Sequence, residues 1–265
     1  MHNSMHVFAT SFLALYLAHL LTDFVFESDL LDVGRRNRTA LAYVEHGGVH
    51  LLWAALLLGL SSPVLVRSLD FYAVIIGLTL AHLALDWGRL RLVRLTTKAE
   101  GTFAFVAGQL VYMFPVCVAA GIIAKTPLRE LMAGLAWIQS RTEQALLLLV
   151  VYVGVIFGGG YFVRLVTKPL VRGDLGLAGK TTEELQNAGM YIGWLERFLI
   201  LTSLLLQSPA TVGLILTAKS IARYPEFKSK RFAEYFLIGT LLSLSIGIVG
   251  GLILLKAFYG TLRLK

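Results

Sequence analysis

Four of the six histidines sit in apolar surroundings, and each belongs to a pair of chemically active residues spaced four apart. His19 and Asp23 lie in LAHLLTDF, His46 and His50 in EHGGVH, and His82 and Asp86 in LAHLALDW. On an α-helix, residues i and i+4 stack on one face with Cβ atoms about 5–6 Å apart, so each pair can aim two donor atoms at one point. Imidazole and carboxylate donors suit a divalent metal, zinc first, with iron or manganese as alternatives. An Asp at the centre of a membrane helix costs about 2.5–3.5 kcal/mol on insertion scales, and a bound cation would offset that cost for Asp23 and Asp86. One His-x-x-x-Asp pair is weak evidence, because a buried His bonded to an Asp one turn away is a common structural arrangement. Three pairs on neighbouring helices weigh more.

Six donors exceed one tetrahedral site. Either two metals bind, or some of the six support the ligands or act as general base. His19, His50, His82 and Asp86 are the first-choice ligands. Asp23 and His46 are candidates for a fourth ligand or a base, and Gln109 is a further catalytic candidate at a similar depth. Glu27, Asp29 and Glu45 flank the cluster, where an ordinary solvated helix end competes with a role as base. His2 and His6 fall at a fraying N-terminus and carry no expectation. A second charged group, Glu196, Arg197, Lys219 and Arg223, reads first as ion pairs among themselves or with Glu234. Its functional alternative is a cationic pocket for an anionic head group. Gly189 and Gly193, spaced four apart, read as a helix-packing face.

The elements that carry these residues follow from composition. The chain has 265 residues, of which 57% are hydrophobic and 15% charged, and its mean hydropathy is +0.73. That is too apolar for a soluble globular domain or a disordered chain. A lone cysteine, Cys117, excludes a disulfide scaffold. The fold expected is an all-α, polytopic transmembrane bundle. Stretches at about 5–26, 41–60, 69–88, 101–124, 144–166, 189–207, 209–224 and 232–256 give eight spans, or seven if the short seventh does not cross. The first has no basic leader and no small-residue cleavage site, so it reads as a true span. A polar connector at 168–188 separates front helices at 1–167 from a back part at 189–265.

The net charge of +8 calls for no nucleic acid. Lys and Arg gather in alternate loops: Arg35, Arg36 and Arg38; Arg89, Arg91, Arg94 and Lys98; Arg164, Lys168, Arg172 and Lys180; and Lys219, Arg223, Lys228, Lys230 and Arg231. The opposite side has fewer than half as many. The richer side should be cytoplasmic, with both termini outside. The three pairs then meet at one level near the cytoplasmic leaflet.

These segments resemble a family of bacterial inner-membrane proteins, domain-of-unknown-function family 3307. The likeness rests on H-L-L-x-D-F at His19–Phe24, the histidines of the second stretch, and His82 with Asp86. It also rests on Tyr191–Arg197, Ala218–Arg223 and Glu234–Thr240. Where the family pattern has Asp-Gln followed by His in the fourth helix, this chain has Gly108-Gln109 and Tyr112, which implies one ion fewer if that Asp or His is a ligand. The resemblance implies a bacterial inner-membrane location and supplies no activity.

The function expected from these residues is a membrane-embedded metal-dependent hydrolase using activated water. Membrane lipid is the expected partner, and a lipid or membrane-anchored peptide the substrate. A homo-oligomer is compatible with the composition. The rivals are a proton- or cation-coupled transporter, a diiron lipid oxidase (for which four histidines are few), and a non-catalytic scaffold with structural His–Asp bonds.

Overall fold

A computed structural model describes residues 2–27, 34–35, 37, 39–95, 101–125, 138, 140–171 and 182–260. The described elements are all helical: α1 His2–Leu20, α2 Ala40–Ser61, α3 Leu69–Leu95, α4 Thr102–Ala124, α5 Arg141–Val153, α6 Gly159–Val171, α7 Thr182–Leu205, α8 Ala210–Ala222 and α9 Lys230–Tyr259. Wide π-helical turns follow α1 (Leu21–Val25) and α5 (Gly154–Gly158). Among the described residues, six segments are long and apolar enough to cross a membrane: Ser4–Val25, Ala40–Ser61, Leu69–Val93, Thr102–Ala124, Arg141–Leu170 and Lys230–Tyr259. They mark the chain as a membrane protein. The sixth stretch forms α7, whose sequence carries Glu183, Glu184, Glu196 and Arg197. The seventh forms α8, whose 13 residues span about 20 Å, short of a hydrocarbon core of about 30 Å.

The chain divides into two compact units, Met1–Val153 and Gly154–Lys265. That boundary falls inside the fifth stretch, at the π turn. Residues 172–181 of the 168–188 connector lie outside the described residues.

In the first unit, α1 is apolar around its whole circumference, the pattern of an enclosed helix. Phe8, Phe12, Leu13, Leu15 and Leu17 are buried, and α1 packs on α2, α4 and α5. Helix α3 in turn packs on α2 and α4, so α1 to α4 form a closed ring. Gly47, between the two histidines of α2, makes room for α3: a Cβ there would come within 2.9 Å of Leu83 Cδ1. His6 does not fray. It lies in α1, and its Nδ1 is 2.7 Å from Oε1 of the fully buried Glu143. Glu143 also closes a capping box with Ser140 at the start of α5, accepting from Ser140 N at 3.0 Å while its own N–H reaches Ser140 Oγ at 3.1 Å.

In the second unit, α9 packs on α6 and α7, and α8 on α7. The close approach runs along Gly247 and Gly251 of α9. A Cβ there would meet Ile200 Cγ2 at 2.8 Å and Leu204 Cδ1 at 2.4 Å. The small-residue packing face expected at Gly189 and Gly193 is not present. Gly189 opens on empty space, and Gly193 lies against the guanidinium of Arg197 one turn further along the same helix.

Candidate metal centre

The ring of α1 to α4 brings the three sequence pairs together. His19, His46, His50, His82 and Asp86 are all buried, and Asp23 keeps 14% side-chain exposure. The π turn after α1 carries Asp23. Its closing bond, Phe26 N to Leu21 O at 2.9 Å, spans five residues, and this wider winding delivers the carboxylate toward α2 and α3.

Two groups of potential ligands share His82. In the first, His19, Asp23 and His82 have donor atoms within 4.8 Å of one another. His82 Nε2 is 3.2 Å from Asp23 Oδ1, and His19 Nδ1 is 3.7 Å from Asp23 Oδ2. A tetrahedral zinc with bonds of about 2.0–2.1 Å sets its donors roughly 3.3 Å apart, so these spacings need little adjustment. His46 Nε2 borders this group, 3.6 Å from Asp23 Oδ1 and 3.0 Å from His82 Nε2. Two buried atoms here make no hydrogen bond: His19 Nε2, and Asp23 Oδ1, whose neighbour His82 Nε2 is an ion-pair contact. A buried polar atom without a partner is costly, and native proteins rarely leave one unless something else satisfies it.

The second group, His46, His82 and Asp86, is saturated instead. Arg35 Nη1 donates to Asp86 Oδ2 and lies 3.0 Å from His46 Nε2, while its Nη2 donates to Glu27 Oε1. The Tyr112 hydroxyl donates to the other Asp86 oxygen, Oδ1. Its ring packs on His19 and His82 at 4.9 and 5.3 Å between centroids.

His50 joins neither group. Its Nδ1 is 2.9 Å from Thr79 Oγ1, and that hydroxyl already donates to Ile75 O at 2.8 Å. Thr79 therefore accepts, and His50 Nδ1 carries the proton. The His50 ring stacks on His82 with centroids 4.5 Å apart. Gln109 reaches the His19 ring from α4. Glu27 is drawn in by Arg35, Glu45 is exposed, and Asp29 lies outside the described residues.

Arg35, Tyr112 and Thr79 are the participants that sequence reasoning did not assign. Arg35 counted only as a loop cation, Thr79 gave no signal, and Tyr112 stood out only against the family pattern. Residues 11–138 match the model of the family described as protein of unknown function (DUF3307). The match covers a little under half of the chain. It holds every residue of the cluster, Gln109 and Tyr112 included. The back-half segments Tyr191–Arg197, Ala218–Arg223 and Glu234–Thr240 lie beyond it. No curated protein and no solved structure matches the chain.

The charged group of the second unit resolves into separate contacts. Lys219 Nζ pairs with buried Glu196 and lies 5.5 Å from the centre of the Phe236 ring. Arg223 pairs with Glu226 at 2.9 Å. Glu234 faces exposed Lys230 at 4.0 Å. Arg197 turns to the π turn, donating to Ile156 O from Nε and Nη2 at 3.1 and 2.9 Å and to Ser243 Oγ at 3.3 Å. Gly160 leaves room for it, since a Cβ there would sit 2.6 Å from Nη2. Lys219→Met strands Glu196 as a buried charge and is expected to destabilise the protein by about 3–5 kcal/mol. Thermal unfolding in detergent measures this, and Lys219→Met with Glu196→Gln should recover part of the loss.

Proposed function

We propose that this chain is a membrane-embedded metal-dependent hydrolase, with one divalent ion, zinc first, held by His19, Asp23 and His82 and bordered by His46. The observation that carries the reading is the gathering of His19, Asp23 and His82 donor atoms within 4.8 Å of one another, with His19 Nε2 and Asp23 Oδ1 buried and making no hydrogen bond. A cation held by Asp23, His82 and one nitrogen of His19 offsets the cost of Asp23 in an apolar bundle. Bound metal would supply a Lewis acid and a water that ionises near neutral pH. Around it, Asp86 is held as a charged acceptor by Arg35 and Tyr112, and His46, which borders the group, is the candidate base. Arg35 donors are positioned to stabilise an anionic oxygen.

The ends of α1 and α3 and the start of α2 meet at this cluster, and Arg35, Arg89 and Arg91 lie at the same end. The positive-inside rule then orients the site to the cytoplasmic leaflet, with the N-terminus outside. Access is beside Asp23 and Glu27, the cluster's partly exposed members. A lipid or membrane-anchored peptide fits that entrance. The test is turnover of lipid esters, phospholipids and lipidated peptides by protein reconstituted in bilayers, with and without a chelator. Chelator-sensitive release of product supports the reading. Metal-loaded protein that turns over none of these classes contradicts the hydrolase assignment and leaves a metal-binding protein.

A second reading, a proton path, draws on the His6–Glu143 pair, the unpartnered buried Ser11 Oγ and His19. All three residues of α1 lie along one helix, His6 and His19 about 20 Å apart at 1.5 Å per residue. Proton flux in liposomes that is lost in Glu143→Gln would favour it over hydrolysis.

A further inference from the structure

We infer that Arg35 is a built-in cation occupying the second metal position, so that this chain takes one divalent ion and excludes a second. The inference rests on the metal reading above. Five of the six candidate ligands fall into two groups of three that share His82. The two groups differ in what satisfies them. The first retains unpartnered atoms, whereas Arg35 Nη1 bridges two donors of the second, Asp86 Oδ2 and His46 Nε2. Tyr112 takes the remaining Asp86 oxygen. A guanidinium and a metal cannot share those atoms.

Charge gives the same answer. With Arg35 present, Asp23, Asp86 and Glu27 carry two net negative charges. One divalent ion brings the group to neutrality. A further divalent ion would leave buried positive charge without compensation, which is costly. Without Arg35, a second ion becomes the natural partner of Asp86.

The chain fixes Arg35 deliberately. Gly34 O accepts from both Thr39 N and Thr39 Oγ1 at 3.0 Å, which ties the residue before Arg35 to the residue that starts α2. A Cβ at Gly34 would come within 2.7 Å of Ala42 Cβ, so this backbone lies directly on the first turn of α2. Arg35 is 4% exposed as a result, and Glu27 Oε1 holds its outer nitrogen.

Elemental analysis of detergent-purified full-length protein after zinc loading and desalting tests the inference. Wild type is expected to hold about one zinc per chain and Arg35→Met about two. The extra ion should disappear in Arg35→Met/Asp86→Asn. Two zincs in wild type, or one in a folded Arg35→Met, overturns the inference while the metal reading stands. No zinc in wild type overturns both. If Arg35→Met does not fold, the zinc absorption spectrum of saturated wild type decides. Absence of a metal–metal vector at about 3.5–4 Å supports a single ion, and its presence overturns the proposal.

Discussion

His82→Ala is expected to lower zinc affinity by more than about 100-fold and to abolish metal-dependent turnover. Loss of an outer hydrogen-bond partner alone costs metal sites about 10–100-fold, and His82 is closer in than that. Its Nε2 lies 3.2 Å from Asp23 Oδ1 and 3.0 Å from His46 Nε2, and it is the one residue common to both ligand groups. His50→Ala is the informative comparison. It removes a ring that stacks on His82 but offers no atom to either group, so affinity should fall by about 10-fold or less. Competition against a chromophoric chelator measures both. Equal effects of the two substitutions would contradict the assignment of ligands.

The second large effect is on stability. Asp86→Ala removes the carboxylate that joins Arg35, Tyr112 and His46 and leaves a buried guanidinium with reduced compensation. Breaking a buried ion pair from one side costs about 3–5 kcal/mol. For a chain of this size that is a fall of about 10 °C in the unfolding midpoint. Arg35→Met/Asp86→Leu replaces the pair with apolar groups and is expected to recover much of the loss, because a matched buried pair is worth little net. A double-mutant cycle on unfolding midpoints reads the coupling directly. Additive effects would mean that the two side chains do not act as a pair.

The sequence carried the main features of the front unit because its signals are local and periodic. Pairs of donors at spacing four must share a helix face, and short loops make neighbouring helices antiparallel, so His19, His46 and His82 converge from their spacing alone. Spacing put His50 ahead of His46 as a ligand, whereas His46 falls in a ligand group and His50 in neither; both lie on the same face, so spacing could not separate them. Their roles separate through Thr79, a partner on another helix that no spacing rule links to His50. Arg35 was hidden for a different reason. It belongs to a loop without periodicity, where a cation is the default expectation of membrane topology. Its inward course depends on the contact of Gly34 with Ala42, which is tertiary. In the back unit, Gly189 and Gly193 matched a packing pattern, but the seam formed on Gly247 and Gly251, where Ile200 and Leu204 are received. Spacing marks small residues; the partner helix decides which of them are used.

The most direct test of the central claim is the zinc-edge X-ray absorption spectrum of wild-type protein loaded with zinc and desalted. The account predicts an N/O shell at about 2.0–2.1 Å with multiple-scattering features of two imidazoles, both weakened in His19→Ala/His82→Ala. Protein that retains no zinc, or zinc whose spectrum lacks imidazole scattering, would contradict it.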